Sequence, residues 1–372
     1  MEFNELTYAC ALNRIFINNT RLAKSIAEYF PYPSELFNTS EENLREIFHS
    51  NERYISAIKD KKILEECSRE VSLCRNNNIR IVYYHDPDYP KRLKECPDAP
   101  ALLFIKGEIS LDNQRMVAVV GTRKPTAYGI KSCREIIRDL SKLHPKPVIV
   151  SGLAYGVDIC AHESALEYGC NTIAVMGTPV EHIYPSSHSK KGEQISRSGA
   201  LISEYNRGCQ TQPYHFLQRN RIIAGLCDAV ILIESNLKGG GMVTASIANS
   251  YSRDVFALPG RICDATSEGC NILIENNIAK LITSAQTISK EMGWETPQPK
   301  MGKKSKFHNL LEQYGGIKRN ILLTLSADLE IDLPALIERC NDEPSKILAA
   351  LTELEMEQIV EIDIYGHYHI NI

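Results

Sequence analysis

The sequence predicts an α/β protein with a doubly wound parallel sheet. Two observations lead to this fold class. Short apolar runs recur through the middle of the chain, and helical stretches alternate with most of them, as is typical of a parallel sheet. The runs are apolar on both faces, as expected of strands buried between two helix layers. The strand-like runs are 116–120, 147–150, 172–176, 200–203, 229–233 and 254–258, and examples of the helical stretches are 130–143, 157–168 and 242–251.

Smaller modules are predicted on both sides of this sheet. The first 75 residues show helical apolar spacing, and strand-like segments follow at Ile79–Tyr84 and Ala101–Phe104. Residues 295–306 contain two prolines and four lysines, which is typical of a mobile linker. Three short helices and a hairpin then predict a winged helix. The predicted domains are 1–75, 76–292, a linker at 293–306, and 307–372.

The composition is that of an ordinary globular protein, with 43% hydrophobic and 24% charged residues among 372. No apolar run approaches the roughly 18 residues that a membrane span needs. The first residues lack the basic start and apolar core of a secretory signal. None of the 12 cysteines forms a Cys-x-x-Cys pair or has zinc-ribbon spacing. We therefore expect a cytoplasmic protein with reduced cysteines, no metal, no cofactor and no membrane contact.

Charge is distributed unevenly along the chain. The net charge is −4, but residues 116–290 hold 18 Lys and Arg against 14 Asp and Glu, which gives +4. Residues 301–372 hold 7 against 12, which gives −5. The basic middle favours an anionic ligand, and the acidic C-terminal part disfavours one.

Four polar or glycine-rich loops predict where that ligand binds. They are Gly121–Lys124, Ser151–Asp158, Phe216–Arg221 and Lys238–Gly241, and three of them follow an apolar strand-like run. A parallel sheet delivers such loops to its carboxyl edge, where open α/β sheets bind ligands. Arginine forks suit phosphates, and a phenylalanine face suits bases. The ligand should be polyanionic.

Each motif also has a simpler structural interpretation. The first loop is not G-x-G-x-x-G, and it could be a tight turn with an exposed arginine. Asp158 and His162 could form an acid–base pair, but capping or packing explains them better, because no nucleophile or metal cluster accompanies them. The run at 238–245 lacks the ending of a P-loop, so nucleotide hydrolysis is not indicated. Lys190 and Lys191 could belong to a solvated loop.

The segment Arg219-Asn220-Arg221 is harder to explain structurally. Two arginines flank an amide at the start of an apolar helix, and they should converge on a ligand. The alternative is a structural ion pair with Glu204 or Glu234.

Together these motifs resemble the DprA/Smf DNA-processing family. The resemblance covers roughly residues 80–290, in family order, and the flanking modules resemble that family's optional domains. Its matching blocks are Asp88–Leu93, Val119–Arg123, Ser151–His162, Thr172–Gly177, Ile183–Pro185, Phe216–Leu226, Gly240–Ala245, Val255–Gly260 and Gly269–Ile274.

The resemblance implies an extended Rossmann-like fold, an N-terminal module like a SAM or helix-hairpin-helix domain, and a C-terminal winged helix. It implies single-stranded DNA binding without catalysis. Such proteins protect incoming strands and load the RecA recombinase on them during natural transformation, and they usually form homodimers. The implied strand-contacting set is Arg123, Lys124, Ser151, Gly152, Lys190, Phe216, Arg219, Asn220, Arg221, Gly240 and Gly241. Leu273, Ile274 and Leu281 are the implied dimer contacts.

Two departures and two alternatives accompany this interpretation. The run Gly239–Met242 stands where the family often has Ser-Gly-Ser-Leu, and Asn276–Ala279 stands where it usually has Gly-Ala. The latter bears on the dimer edge.

Nucleotide phosphoribohydrolases of the lysine-decarboxylase-like group share this sheet but need a glutamate just beyond Gly-Thr, and Thr244–Ala248 supplies none. A protein-interaction scaffold would leave the basic cluster unexplained.

Overall fold

A nine-stranded mixed sheet forms the centre of the structure, a computed structural model that describes residues 3–113, 115–294, 307, 310–327, 331–363 and 366–370. Contacts within the chain group Met1–Trp294 into one compact unit and Glu295–Ile372 into another. The predicted boundary between residues 75 and 76 lies inside the first unit and stays a prediction. Residues 295–306 of the predicted linker lie outside the described residues.

The strands of the sheet match the predicted apolar runs closely. Their order across the sheet is β1-β2-β6-β5-β4-β3-β7-β8-β9. The seven strands from β6 to β9 in that order are parallel, whereas β1 and β2 add an antiparallel extension beside β6. The strands are β1 (Ile79–Tyr83), β2 (Leu102–Lys106), β3 (Met116–Val120), β4 (Val148–Ser151), β5 (Thr172–Val175), β6 (Ala200–Ser203), β7 (Ala229–Leu232), β8 (Asp254–Ala257) and β9 (Lys280–Leu281).

Helices cover both faces of the sheet, which confirms the α/β Rossmann-like prediction. Alternate residues of β3 enter two different cores, with Val117 facing α8, α9 and α14 and Ala118 facing α11 and α12. The sheet helices are α7 (Lys91–Lys94), α8 (Ala127–Leu140), α9 (Val157–Glu167), α10 (Ser189–Ser198), α11 (Pro213–Leu226), α12 (Gly240–Ser250), α13 (Glu268–Glu275) and α14 (Ala285–Glu291), and a 3₁₀ turn (Ser186–His188) precedes α10.

Six helices precede the sheet and pack on it. Their apolar faces, for example Leu12 and Phe16, join the same core as β1 and β2. A buried polar network also ties them to the loop after β6: Asn13 Nδ2 donates to Glu204 O at 2.8 Å, and Glu70 accepts from the Arg207 amide at 2.6 Å. These helices are α1 (Glu5–Phe16), α2 (Thr20–Tyr29), α3 (Pro33–Asn38), α4 (Glu41–Ile47), α5 (Glu52–Lys59) and α6 (Lys61–Asn76).

The second unit has its own apolar core, which includes Ile321, Leu336, Ile347 and Leu354. Strands Val360–Ile362 and His367–Ile370 pair antiparallel where the hairpin is predicted, and Ile331–Asp332 adds a third strand. Residues 364 and 365 lie outside the described residues. The helices are Gly316–Ala327, Leu333–Cys340 and Pro344–Met356.

Candidate functional site

A cavity of about 440 Å³ opens at the carboxyl ends of β3 and β7. These strands are neighbours, but the chain continues from β3 toward β4 on one side and from β7 toward β8 on the other. This is the topological switch point, where an α/β sheet leaves a crevice between diverging loops. All four predicted loops supply lining residues, and Ala154 and Asp158 are the ones that come from the loop Ser151–Asp158.

Two glycines let the main chain close the floor of the cavity. A Cβ on Gly121 would lie 2.7 Å from Val157 Cγ2 and 2.9 Å from the Glu234 carbonyl oxygen. A Cβ on Gly241 would lie 2.5 Å from Leu232 Cδ1 and 3.3 Å from the Gly121 Cα. A side chain at Gly121 would push the loop after β3 away from Val157 and Glu234, and one at Gly241 would push the first turn of α12 away from Leu232 and from that loop.

Glu234, at the end of β7, fastens that loop. Its carbonyl accepts from the Thr122 amide at 2.7 Å. Its carboxylate accepts from the Thr126 amide at 2.8 Å and from the Thr126 hydroxyl at 2.5 Å. Thr126 in turn caps α8 by accepting from the Gly129 amide at 3.2 Å. The loop between Thr122 and Thr126, which carries Arg123, is thus held at both ends.

The rim of the cavity is cationic. Arg123 and Lys238 line it with exposed side chains. The N-terminus of α12 opens into the same cavity, where Gly239, Gly240 and Gly241 also line it and no side chain caps the helix. Free amides and the positive end of a helix dipole favour an anion at such a position.

Arg219 enters the cavity wall from α11 as a buried cation, 4% exposed. Its Nη1 donates to the Gly152 carbonyl at 2.6 Å and to the Val175 carbonyl. A Cβ on Gly152 would lie 2.4 Å from Nη1 and Nη2, so only glycine lets the guanidinium lie against the end of β4. Arg219 therefore joins the carboxyl ends of β4 and β5.

Asp158 supplies the opposite charge. Burial raises the pKa of its carboxyl, while Arg219 opposes that rise. Its Oδ2 accepts from the Ala154 amide at 3.4 Å, so the carboxylate also orders its own loop.

His162 is fully buried behind this loop, and burial, Arg219 and His188 lower its pKa to about 3. Its Nδ1 lies 2.7 Å from the Thr172 hydroxyl, which itself donates to Ile149 O. A neutral, fully buried imidazole that is hydrogen-bonded to Thr172 has a structural role and is not placed to exchange protons with a ligand.

Arg221 points away from the cavity. It is 5% exposed and forms a buried ion pair with Glu204, which is 2% exposed. The structural alternative that the sequence left open, a pair with Glu204, is the one found. Arg221 thus lies outside the cavity, whereas the neighbouring Asn220 lines it and places Nδ2 3.5 Å from the Gly240 carbonyl.

Phe216 and Leu217 give the cavity an aromatic and apolar surface. The Phe216 ring is half-buried, with its centroid 5.2 Å from that of Tyr184, which is 50% exposed. A Cβ on Gly177 would lie 2.8 Å from Phe216 Cδ1, so glycine makes room for the ring. Leu217, 51% exposed, continues this apolar surface.

Comparison with known proteins identifies a family. The family model described as DNA recombination-mediator protein A matches residues 80–293. The chain belongs to the DprA/Smf family. DNA processing protein DprA of Streptococcus pneumoniae is 44% identical over 206 residues, 55% of this chain and 72% of that protein. Protein Smf of Synechocystis sp. is 37% identical over 299 residues, 77% of this chain and 73% of that protein.

Solved structures of family members share the fold. The X-ray structure of DprA from Streptococcus pneumoniae aligns with a TM-score of 0.57 and 35% identity, over 70% of this chain and 96% of that one. A structure of DNA processing protein A from Helicobacter pylori, which concerns that protein's single-stranded DNA binding mode, aligns with a TM-score of 0.52 and 33% identity. It covers 57% of this chain and 95% of that one.

The predicted site residues of this family member fall into two groups. Six line the cavity, and five do not. Ser151 is buried and donates to Val119 O at 2.7 Å, Gly152 lies beneath Arg219, and Lys124 and Lys190 are exposed on the surface. Arg221 is paired as described. The six that line the cavity are Arg123, Phe216, Arg219, Asn220, Gly240 and Gly241.

The cavity also has lining residues that the predicted set omits, among them Thr122, Asp158, Leu217, Ser235, Asn236 and Lys238. Ser235 and Asn236 could have been found, because they directly follow the apolar run of β7. Lys238 is the first residue of the predicted loop Lys238–Gly241, so the sequence also offered a signal for it.

The predicted dimer residues differ in exposure. Leu273 is 5% exposed and belongs to the core, so it presents no surface to a partner. Ile274 is partly buried against the same core. Leu281, on the edge strand β9, is 45% exposed.

Within the described part of the chain, no helix is long and apolar enough to span a bilayer. Over the same residues, His, Cys, Asp and Glu side chains form no group of three or more suited to a metal ion.

The close contact between Gly152 and Arg219 gives a stability prediction. Gly152→Ala should lower the free energy of unfolding by about 1–3 kcal/mol, because the added methyl overlaps a buried guanidinium. Gly240→Ala is the matched control, since a Cβ there meets nothing within 4 Å. Urea unfolding measures both. In the Gly152→Ala/Arg219→Ala double variant the overlap is gone, so the two losses should not add. Equal losses for the two glycine variants would contradict this packing.

Proposed function

We propose that this chain is a DNA-processing protein that binds single-stranded DNA in the switch-point cavity without chemical catalysis. The observation that carries the proposal is the meeting of two different surfaces there. Exposed Arg123 and Lys238 line the cavity together with the uncapped N-terminus of α12, and so does Phe216. A strand offers both phosphates for the first surface and unstacked bases for the second.

Family relationship supports this role. Relatives from Streptococcus pneumoniae and Bacillus subtilis are DNA processing proteins by name, and the Helicobacter pylori protein binds single-stranded DNA. By the same relationship, we propose that the chain protects incoming strands and loads the RecA recombinase on them during transformation. This role belongs in the cytoplasm.

A nucleotide phosphoribohydrolase is the alternative that this sheet also allows. Among the described lining residues of the cavity, the one acid is Asp158. It is 8% exposed, faces the charge of Arg219 and bonds its own loop. A carboxylate engaged in this way is poorly placed to act on a sugar. Release of ribose phosphate from a nucleoside monophosphate would favour the alternative.

We propose that the chain forms a homodimer through the β9 edge of the sheet. An edge strand with free main-chain groups is commonly paired or covered. Leu281 on β9 and nearby Ile278 are 45% and 37% exposed. Sedimentation as a monomer at micromolar concentration, with strand binding intact, would contradict the dimer.

The C-terminal unit is proposed to be a winged helix that contacts protein rather than DNA. Its helix Pro344–Met356 is the one that would enter a major groove. That helix offers a single lysine, Lys346, which pairs with Glu343 at 2.9 Å. It exposes Leu348 and Met356, at 43% and 81%. Exposed apolar side chains surrounded by acidic residues suit a protein partner better than a phosphate backbone.

Single strands should bind more tightly than duplexes of the same length and salt concentration. Bases within a duplex are stacked and cannot reach Phe216. Phe216→Ala should weaken single-strand binding by about 1–3 kcal/mol, the contribution of one stacked base. Phe216→Trp is the control, because it keeps an aromatic face. Fluorescence anisotropy with labelled oligonucleotides measures both. Equal affinity for the two forms of DNA would rule out stacking at this wall.

Binding should also depend on salt through Arg123 and Lys238. If three to five phosphates are neutralised, log K should fall with log salt at a slope of roughly −2 to −3.5, from about −0.7 per contact. Arg123→Ala and Lys238→Ala should each flatten the slope by up to about 0.7. The control is Lys142→Ala, which removes an exposed charge just beyond the C-terminal end of α8 and should leave the slope unchanged. If a variant that carries both Arg123→Ala and Lys238→Ala keeps the wild-type slope, the phosphates bind elsewhere.

The C-terminal unit should not contribute to strand affinity. An isolated fragment of residues 307–372 should fail to shift any oligonucleotide, because its net charge repels phosphates. A truncation to residues 1–300 should retain most of the affinity of the full chain. Electrophoretic mobility shift at physiological salt tests both, and micromolar duplex binding by the fragment would overturn this assignment.

A further inference from the structure

The sheet has an open edge at β1, far from the switch-point cavity. In the described part of the chain, β1 pairs with β2 and with no other strand. The Tyr84 amide donates to Ala101 O at 3.0 Å, just beyond the paired residues. Hydrogen-bonded pairs alternate along an antiparallel ladder. The N–H and C=O groups of Ile79 and Ile81 therefore point away from β2.

Asp86 ends this open edge at Tyr83. The Tyr83 amide donates to Asp86 Oδ2 at 2.7 Å, and the Asp86 amide donates to Tyr83 O at 2.9 Å. The outward main-chain groups of Ile79 and Ile81 receive no such partner from the described residues. Ile79 is only 4% exposed, and main-chain groups sheltered from water are nearly always hydrogen-bonded. These groups are placed to pair with an added strand.

A cavity of about 430 Å³ lies along the open edge. Leu6 of α1 and Val71 of α6 line it on one side, and Asp86 lines it at one end. A second cavity, of about 320 Å³ and lined by Tyr32 and Pro33, shares Leu6 and Asp86 with the first, so the two adjoin. This recess leaves room for one extended chain, whereas the edge of another sheet would bring its own helices against α1 and α6.

The charges in the cavity favour an acidic peptide over a nucleic acid. Arg75 is exposed, and its guanidinium pairs with no acid among the described residues. Arg80 Nη1 lies 3.4 Å from Asp88 Oδ2, but the buried Arg80 Nε has no partner in the same part of the chain. Asp86 and Asp88 line the cavity and would repel a phosphate chain. A peptide offers main-chain groups for the strand and a carboxylate for the arginines.

We propose that the β1 edge binds an extended, acidic peptide segment of a partner protein by β-strand addition, a function beyond DNA binding. The peptide pairs with the outward groups of Ile79 and Ile81 and places an acidic side chain beside Arg75. An apolar side chain fills the cavity at Tyr32. Because Ile79 and Tyr83 line the two cavities, the acidic and apolar residues of the peptide should be about four positions apart.

This surface is separate from the other proposed contacts. Four strands lie between β1 and β3, which carries the DNA cavity, and β9 forms the opposite edge of the sheet. Single-strand affinity is therefore an independent check that a variant of the β1 edge is folded.

Selection from a displayed library of random peptides tests the proposal with the full-length chain. Ile81→Pro removes only an outward N–H, a change that an edge strand tolerates. Ile81→Val keeps that N–H and is the matched control. Peptides enriched on the wild-type chain relative to Ile81→Pro should share an acidic residue about four positions from a large apolar one. The best peptide, once synthesised, should bind Ile81→Val like the wild type and Ile81→Pro about two- to tenfold more weakly.

A charge reversal tests the acidic contact. Arg75→Glu should weaken binding of that peptide by about fivefold, and a peptide with lysine in place of its acidic residue should recover the loss. Arg75→Glu should leave single-strand affinity unchanged. Equal weakening of both peptides would show that Arg75 does not contact the acidic residue and would contradict the proposal.

Amide hydrogen exchange, followed by NMR, examines the edge without any substitution. In the free chain the Ile81 amide should exchange faster than the ladder-bonded Val82 amide, and the bound peptide should slow it. Equal protection of the two amides in the free chain would overturn the proposal, as would peptides that bind Ile81→Pro as tightly as the wild type. Loss of a dimer in Ile81→Pro would assign the edge to a second copy and would overturn it too.

Discussion

The buried carboxylate of Glu234 is the contact on which the geometry of the cavity depends. It lies at the end of β7, and it accepts from both the amide and the hydroxyl of Thr126 while its carbonyl accepts from Thr122. One residue thus binds the loop that follows β3 and the helix that follows the loop. The close approach at Gly121 completes the arrangement, and Arg123 reaches the rim only because both ends of its loop are fixed.

The basic residues of this region separate into those that build the site and those that face solvent. Arg219 and Arg221 are two residues apart in the sequence. Both are buried, and each is held by contacts within the protein. Burying a cation is costly unless hydrogen bonds or an opposite charge compensate it. Arg219 donates hydrogen bonds to carbonyls at the ends of two strands, and Arg221 forms an ion pair with Glu204. The exposed cations that line the cavity are Arg123 and Lys238, which lie on loops.

Sequence patterns were sufficient for the sheet and for the loops that meet at its carboxyl edge, because both depend on local order along the chain. Apolar runs such as 116–120 gave strands with little error, since a buried parallel strand must be apolar on both faces. The sequence named an ion pair with Glu204 only as an alternative for the arginine cluster, because the choice between ligand and ion pair depends on Glu204 lying beside Arg221 in space. The burial of Leu273 and the antiparallel pairing of β2 with β6 depend likewise on long-range packing.

The central claim, that a single strand lies in the switch-point cavity between cations and aromatic rings, is tested most directly by photochemical cross-linking. Bromouracil-substituted single strands would be irradiated with the full chain, and the attached peptides identified by mass spectrometry. The account predicts cross-links at Phe216, which lines the cavity, or at Tyr184, whose ring centroid lies 5.2 Å from that of Phe216. Cross-links confined to the unit Glu295–Ile372, with none near the cavity, would contradict the account.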